Sequence, residues 1–144
     1  MGKTTKTIGM VTIDDVTISV DKVLDKEDSA KTQKKFEFRF YMNDINDSSP
    51  KLIGSLHGCE RFGRTFYVSS FSINDQYQGH YYGRACFRVI ENHIRQLPPN
   101  SNGTSRFNRI CGLYANGNEK LAQYYHEQLG FTIHKSNFSF SKEL

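Results

Sequence analysis

The stretch from Thr65 to Leu97 most constrains what this chain can fold into. Thr65 to Ile73 is apolar or small on both faces and predicts a central strand, whereas Tyr82 to Leu97 has the apolar spacing of an amphipathic helix. A short polar turn with Gly79 and Gly83 joins the two. A strand that enters a helix in this way leaves the first backbone N–H groups of the helix without partners, at the positive end of its dipole. The segment therefore predicts a phosphate-binding turn.

The rest of the chain alternates between strand and helix patterns. Strands are predicted at Ile8 to Ile13, Val16 to Val20, Phe36 to Met42, Lys51 to His57, Arg109 to Tyr114, Phe131 to Ile133 and Phe138 to Phe140. Asp14-Asp15 has the composition of a hairpin turn, and Asp21 to Gln33 is polar, which predicts a loop or one short helix. Gly58 to Arg64 and Asn100 to Asn108 are predicted loops. The order of elements indicates an α/β protein with a mixed sheet.

A second helix is predicted after Arg109 to Tyr114. Asn116 is placed to cap it, with Glu119 three residues later in the capping-box position. Its apolar side consists of Leu121, Ala122, Tyr125 and Leu129. Gly130 follows in the position where a left-handed residue commonly ends a helix.

Length and composition indicate one domain, residues 1–144, and limit its setting. No apolar run approaches the ~20 residues of a transmembrane helix, and the N-terminus lacks the apolar core of a signal peptide, so a cytoplasmic protein that binds no membrane is predicted. Cys59, Cys86 and Cys111 form no CxxC pair, and His57 with Cys59 lacks further ligands nearby, so no metal site is predicted. The formal charge of +4 favours anionic ligands.

Two segments resemble the GCN5-related N-acetyltransferase (GNAT) family. The first is the acyl-CoA signature Gln/Arg-x-x-Gly-x-Gly/Ala, which here reads Gln78-Gly79-His80-Tyr81-Tyr82-Gly83 and has Tyr81 where the family prefers glycine. The second is the late helix ending in Tyr-x-x-Leu-Gly-Phe, which here spans Ala122 to Phe131. The likeness covers roughly Lys51 to Phe140. It implies a mixed, mostly antiparallel sheet flanked by helices, with a short acceptor-side helical region in Asp21 to Gln33.

The resemblance also implies a co-substrate, acetyl-CoA, and the residues that bind it. The turn amides would hold the pyrophosphate, and the end of the preceding strand would pair with the pantetheine arm and supply an oxyanion donor. An asparagine at the start of the late helix would also bind the co-substrate, and two residues are candidates for it. The implied residues are Phe71, Ser72, Ile73, Gln78, Gly79, His80, Tyr81, Tyr82, Gly83, Arg84, and Asn116 or Asn118. A side chain at Tyr81 is expected to narrow the turn or to force an unfavourable backbone angle.

The catalytic residues are less clearly marked. The family's acid, a tyrosine that protonates the leaving thiolate, falls on His126 when Gly130 and Phe131 are aligned without gaps. An imidazole can do this work, so His126 ranks above Tyr125, which needs a register shift. The strand before the signature contains no carboxylate to act as the base. Glu60 and His57 are the candidates, acting directly or through water.

The leading interpretation is an enzyme that transfers acetyl from acetyl-CoA to a primary amine by direct attack in a ternary complex. The acceptor is a protein or a small-molecule amine, and a homodimer through the closing strands around Phe138 and Phe140 is an open alternative to a monomer. A catalytically silent GNAT-like module that binds acyl-CoA or a partner is the second interpretation. A basic nucleic-acid-binding domain is the least favoured, because no aromatic–basic RNA motif is present.

Overall fold

The computed structural model describes residues 4–24, 35–43, 49–61, 64–98 and 106–144. Its elements in chain order are β1 (Thr4–Ile13), β2 (Val16–Leu24), β3 (Lys35–Asn43), β4 (Lys51–Arg61), β5 (Thr65–Ile73), a 3₁₀ turn (Asp75–Tyr77), α1 (Tyr82–Arg95), β6 (Arg109–Leu113), α2 (Glu119–Glu127), β7 (Thr132–His134) and β8 (Ser139–Glu143). Most of the loop or short helix expected between Asp21 and Gln33 lies outside the described residues, as do residues 99–105 of the loop expected before Asn108.

All eight strands form one sheet in the order β1-β2-β3-β4-β5-β6-β8-β7. Every pairing is antiparallel except that of β5 with β6, which is parallel. The parallel pair follows from the helix between its strands, since a parallel connection needs a crossover. The predicted mixed, mostly antiparallel sheet flanked by helices is confirmed.

The first hairpin is longer than predicted, because β1 begins at Thr4 and β2 continues to Leu24. Asp14 and Asp15 both adopt positive φ, at 49° and 67°. Two left-handed central residues characterise a two-residue hairpin turn whose twist matches that of its strands. The turn prediction is therefore confirmed with a specific geometry.

Gly58 lies within β4 rather than in the predicted loop. A β-carbon at Gly58 would stand 2.5 Å from the Phe66 ring, so the glycine makes room for an aromatic side chain of the neighbouring strand. The strand continues to Arg61 because its pairing with β5 extends as far as Thr65. The expectation of a loop from Gly58 is wrong for this reason.

Both helices pack on the same face of the sheet, which we call the helix face. Phe87 of α1 contacts the ring of Phe71, with centroids 5.5 Å apart. Tyr125, near the end of α2, stacks on Phe140 of β8 at 3.9 Å. The strands supply the rest of the core through fully buried aromatic and aliphatic side chains: Ile18, Val20, Phe38, Phe40, Ile53, Leu56, Phe66 and Ile110.

The late helix begins two residues later than predicted. Its N-cap is Asn118, whose side chain accepts a hydrogen bond from the Leu121 amide at 3.1 Å, so the assignment of Asn116 as the cap is wrong. Asn116 lies two residues before this cap, in the loop, and is exposed. Gly130 has φ of 78° and donates its N–H to the His126 carbonyl at 3.2 Å, which confirms the predicted left-handed end.

The closing strands also differ in detail from the prediction. Phe138 has φ of 53° and lies in the turn before β8, whereas Phe140 is in the strand. β8 lies between β6 and β7, inside the sheet. The edge at this end is therefore β7, Thr132–His134, and not the strand containing Phe140.

Candidate functional site

The two parallel strands at the centre of the sheet part along their length. Their register runs from Thr65 opposite Arg109 to Val68 opposite Gly112 and ends there. β5 nevertheless continues to Ile73, still paired with β4 on its other edge. The last part of β5 therefore presents one backbone edge to the gap that opens beside β6.

A β-bulge lies where the strands part. His57 of β4 pairs with Ser70 and Gly58 pairs with Val68, so Ser69 is the extra residue on β5. The Ser69 hydroxyl donates to the His57 carbonyl at 3.0 Å and fixes the bulge to β4. Bulges of this kind bend a strand and are frequent beside active sites.

The turn after β5 is closed by its own side chains. Gln78 donates from Nε2 to the Ile73 carbonyl at 2.7 Å, which ties the turn to the end of the strand. Gly79 has φ of 86°, and nothing lies within 4 Å of a β-carbon placed there. A close approach of a ligand to the backbone is thus possible at Gly79.

Tyr81 adopts a left-handed conformation, with φ of 64°. The sequence-based expectation of an unfavourable backbone angle at this residue is confirmed. Its side chain makes no capping hydrogen bond, and its carbonyl accepts the bond from the Ala85 amide at 3.1 Å. The amides of the first helical turn, from Tyr82 onward, hence point out of α1 toward the turn, as a phosphate site requires.

A cleft of about 500 Å³ lies between the end of β5, this turn and α2. Most of the residues implied for acetyl-CoA line it: Phe71, Ser72, Ile73, Gln78, Gly79, Tyr81, Tyr82 and Gly83. From α2 the lining residues are Leu121, Tyr124, Tyr125 and Gln128. His80 stacks on Tyr82 at 5.1 Å, and neither His80 nor Arg84 lines the cleft.

Arg84 connects the two helices beside the cleft. Its Nη1 donates to Oε1 of Gln128 at 3.5 Å, while its Nε is buried and has no hydrogen-bond partner among the described residues. The asparagines implied for the co-substrate do not line the cleft, and the side chain of Asn118 is engaged in capping α2.

Tyr124 is the side chain of α2 that reaches the turn. Its hydroxyl oxygen lies 2.8 Å from the position that a β-carbon on Gly83 would take. Burial raises the pKa of Tyr124 to about 12, so the phenol is protonated at neutral pH. Sequence reasoning missed this residue. The signal was present, because a helix that buries Ala122 and Tyr125 presents the neighbouring stripe of Leu121, Tyr124 and Gln128 to the cleft.

The other catalytic candidates lie in different surroundings. Tyr125 borders the cleft but is largely buried against Phe140, and burial also raises its pKa to about 12. His126 is exposed on α2 and does not line the cleft. Its Nδ1–H donates a hydrogen bond to the Phe131 carbonyl at 2.9 Å.

Glu60 lies on the paired part of the sheet. It opposes Phe66, where β5 and β6 are still bonded to each other, and its carboxylate forms an ion pair with Arg106 at 3.2 Å. Along β4, Glu60 is three residues, or about 10 Å, from His57, which pairs with β5 at the bulge where the gap opens. The structure therefore does not bring Glu60 to the cleft.

None of the helices described is long and apolar enough to cross a membrane. Nor do the described His, Cys, Asp and Glu side chains form a group of three that would hold a metal ion.

The fold is that of an acyl-CoA N-acyltransferase of the GNAT type. Solved structures that share it include an IAA acetyltransferase from Bacillus cereus (12% identity, TM-score 0.56, 76% of this chain and 78% of that chain), Arabidopsis thaliana NAA60 in complex with a bisubstrate analogue (9%, 0.56, 81% and 79%) and a GNAT-family acetyltransferase from Staphylococcus aureus Mu50 (12%, 0.55, 76% and 68%). At the sequence level, no protein-family model and no curated protein matches the chain. The structural likeness confirms the resemblance at the level of the fold.

Proposed function

We propose that the chain, as one domain of residues 1–144, transfers the acetyl group of acetyl-CoA to a primary amine. The observation that carries this proposal is the gap between β5 and β6, which opens directly beside the helix-starting turn and its outward amides. A thioester arm needs backbone partners, and a pyrophosphate needs amide donors. The end of β5, with its free backbone edge, and the turn, with its amides, line the same cleft.

The residues present fit acetyl-CoA as a co-substrate. The amides from Gln78 to Arg84 would hold the pyrophosphate, and the gap-facing edge of Phe71 to Ile73 would pair with the pantetheine arm. An amide on that edge would also donate to the oxyanion of the tetrahedral intermediate. Support comes from NAA60, which has this fold and was solved with a bisubstrate analogue.

The chemistry is direct attack by the amine on the thioester carbon. The C–N bond forms, the C–S bond breaks, and the leaving thiolate takes a proton from an acid in the cleft. Tyr124 is the preferred acid, because it reaches the turn and its raised pKa keeps it protonated. Tyr125 ranks second, and His126, the first choice from the sequence, ranks third because it faces away from the cleft.

A thermal-shift titration tests binding, and thiol release tests transfer. Acetyl-CoA is expected to raise the melting temperature, and a panel of peptides with N-terminal amines, an N-blocked lysine peptide and spermidine is expected to contain an acceptor that accelerates CoA release. No shift at millimolar acetyl-CoA would contradict the proposal. A shift without release by any amine would favour the silent acyl-CoA module.

A further inference from the structure

The second face of the sheet, opposite the helices, carries a histidine at the level where β5 and β6 part. We call it the outer face; on β3 and β4 it is defined by Glu37, Arg39, His57 and Cys59. The side chains that alternate with these are buried on the helix face, among them Phe38 and Leu56, both fully buried. His57 is half-buried on the outer face, which none of the described helices covers.

Three features coincide at His57. His57 pairs with Ser70 at the bulge, and its carbonyl accepts a hydrogen bond from the Ser69 hydroxyl. The pairing of β5 with β6 ends at Val68, the residue before Ser69. Ser69 and Ser70, the residues of β5 beside it, are both small and exposed. The gap opens on the edge of β5 that faces away from β4, more than one strand spacing of about 4.8 Å from β4, and His57 does not itself line the cleft, so it would act across β5 through water.

Glu37 is placed to orient this imidazole. It stands directly opposite His57 in the β3–β4 register, and directly opposed residues have β-carbons about 5 Å apart. Its Oε2 accepts a hydrogen bond from Nε of Arg39 at 2.7 Å, which holds the carboxylate in place. A fixed carboxylate beside a histidine can hold the ring in one orientation and one tautomer.

We infer that His57 is the base of the proposed transfer and that Glu37 is its positioning residue. This inference rests on the proposed function. The acceptor ammonium gives one proton to His57 through a water at the gap, and the freed lone pair forms the C–N bond. The C–S bond then breaks and the thiolate sulfur takes the proton of Tyr124. The nitrogen, now bonded to the acetyl carbon, releases its second proton, which passes through water to the Tyr124 phenolate, and His57 returns the first proton to solvent.

Glu60 is less suited to this role. It is held by Arg106 at the level where β5 and β6 remain paired, so no gap opens beside it. The groups that face His57 are Glu37 directly opposite and Lys35 and Arg39 diagonally on β3, Ser69 and Ser70 on β5, and Ser55 and Cys59 two residues away along β4. Among these, Glu37 is the carboxylate.

The test compares His57→Gln with His134→Gln, an exposed histidine on β7, using the best peptide acceptor and recording kcat/KM from pH 6 to pH 9.5. His57→Gln is expected to lower kcat/KM about 100-fold at pH 7. The deficit should shrink at higher pH, where the amine loses its proton in solution. His134→Gln should match the wild type, and the thermal shift with acetyl-CoA should be unchanged in both.

Glu37→Gln provides a readout that a purely structural role would not move. The substitution should lower kcat with the peptide acceptor and leave KM for acetyl-CoA unchanged, because it disturbs the placement of the base and not the binding of the co-substrate. Glu37→Asp, which keeps the carboxylate, should restore part of the lost turnover. Wild-type turnover with an unchanged His57→Gln profile would overturn the inference alone, and a loss confined to Glu60→Gln would assign the base to Glu60. Absence of wild-type turnover would overturn the proposed function and this inference together.

Discussion

The hydroxyl oxygen of Tyr124 lies 2.8 Å from the point where a β-carbon on Gly83 would stand. This contact joins the late helix to the turn that starts α1, so the second glycine of the signature makes room for a phenol. The same position is closely packed by the side chains of Ile73 and Phe71 as well, at 3.3 and 3.4 Å. One glycine thus brings together the end of β5, the turn and α2.

Tyr124→Phe should lower turnover by about 100-fold or more while leaving acetyl-CoA affinity nearly unchanged, because it removes the proposed acid and retains the ring. Tyr125→Phe and His126→Gln are the matched comparisons and should retain most of the activity. Since the pKa of Tyr124 is about 12, wild-type turnover should not decline between pH 8 and pH 10 through loss of the acid. Single-turnover thiol release and a binding titration measure these effects, and a loss confined to His126→Gln would restore the assignment made from sequence.

Gly79→Ala should weaken acetyl-CoA binding about tenfold, an expected loss of ~1.4 kcal/mol, whereas Gly117→Ala should not. The two glycines form a matched pair, with φ of 86° and 84° and with nothing within 4 Å of an added β-carbon. Both substitutions cost similar backbone strain, so both should lower the melting temperature of the free protein to a similar extent. A methyl group at Gly79, however, would also stand in the cleft. Equal affinity in the two variants would argue against a ligand at this turn.

Tyr81→Gly should stabilise the protein by roughly 0.5–1 kcal/mol. A left-handed non-glycine residue is strained by about 1–2 kcal/mol, and part of the relief is offset by the greater chain entropy of glycine in the unfolded state. The ring contributes little burial, because Tyr81 is 66% exposed. Tyr81→Ala is the control, since it removes the ring and keeps the strain. Urea denaturation measures both, and equal stabilities for the two variants would contradict the backbone argument.

The sequence predicted the central unit well because its signals are local. β5 has the predicted bounds of Thr65–Ile73, and α1 begins at the predicted Tyr82. The left-handed strain at Tyr81 and the helix end at Gly130 were also foreseen, since both depend on which residues tolerate positive φ. These are properties of a residue and its immediate neighbours.

What was missed depends on contacts between distant parts of the chain. From the sequence, Gly58 is predicted to lie in a loop. Its place in a strand is explained only by the Phe66 ring of the neighbouring strand, which packs against it. β6 ends at Leu113 and α2 begins at Glu119, so Asn118 rather than Asn116 caps α2. Aligning the late helix with the family motif gives His126 as the acid, or Tyr125 if the alignment shifts by one residue. Tyr124 is identified only when the packing of α2 on the sheet shows which side chains line the cleft. Side-chain facing is a tertiary property and is not encoded in a six-residue motif.

The stability of the protein should fall as the pH drops from about 7 toward 4, with His93 as a principal contributor. Burial, and then the charges of Lys22 and Lys6, lower the pKa of His93 from 6.5 to about 4, and its Nε2 lies 3.2 Å from Nζ of Lys22, which it meets as a neutral acceptor. In the unfolded chain the ring takes up a proton below pH 6.5, whereas in the folded protein it does so only near pH 4, so the unfolded state binds more protons in this window.

His93→Gln should therefore flatten the pH dependence of unfolding between pH 6.5 and pH 4, because the amide keeps an acceptor for Lys22 and does not titrate. The ring is only half-buried, so solvent screens part of the effect, and a difference on the order of 1 kcal/mol across this window is expected. His134→Gln, at an exposed position, should leave the dependence unchanged. Urea midpoints measured at intervals of half a pH unit give the two slopes, and identical slopes for wild type and His93→Gln would show that the ring titrates alike in the folded and unfolded states.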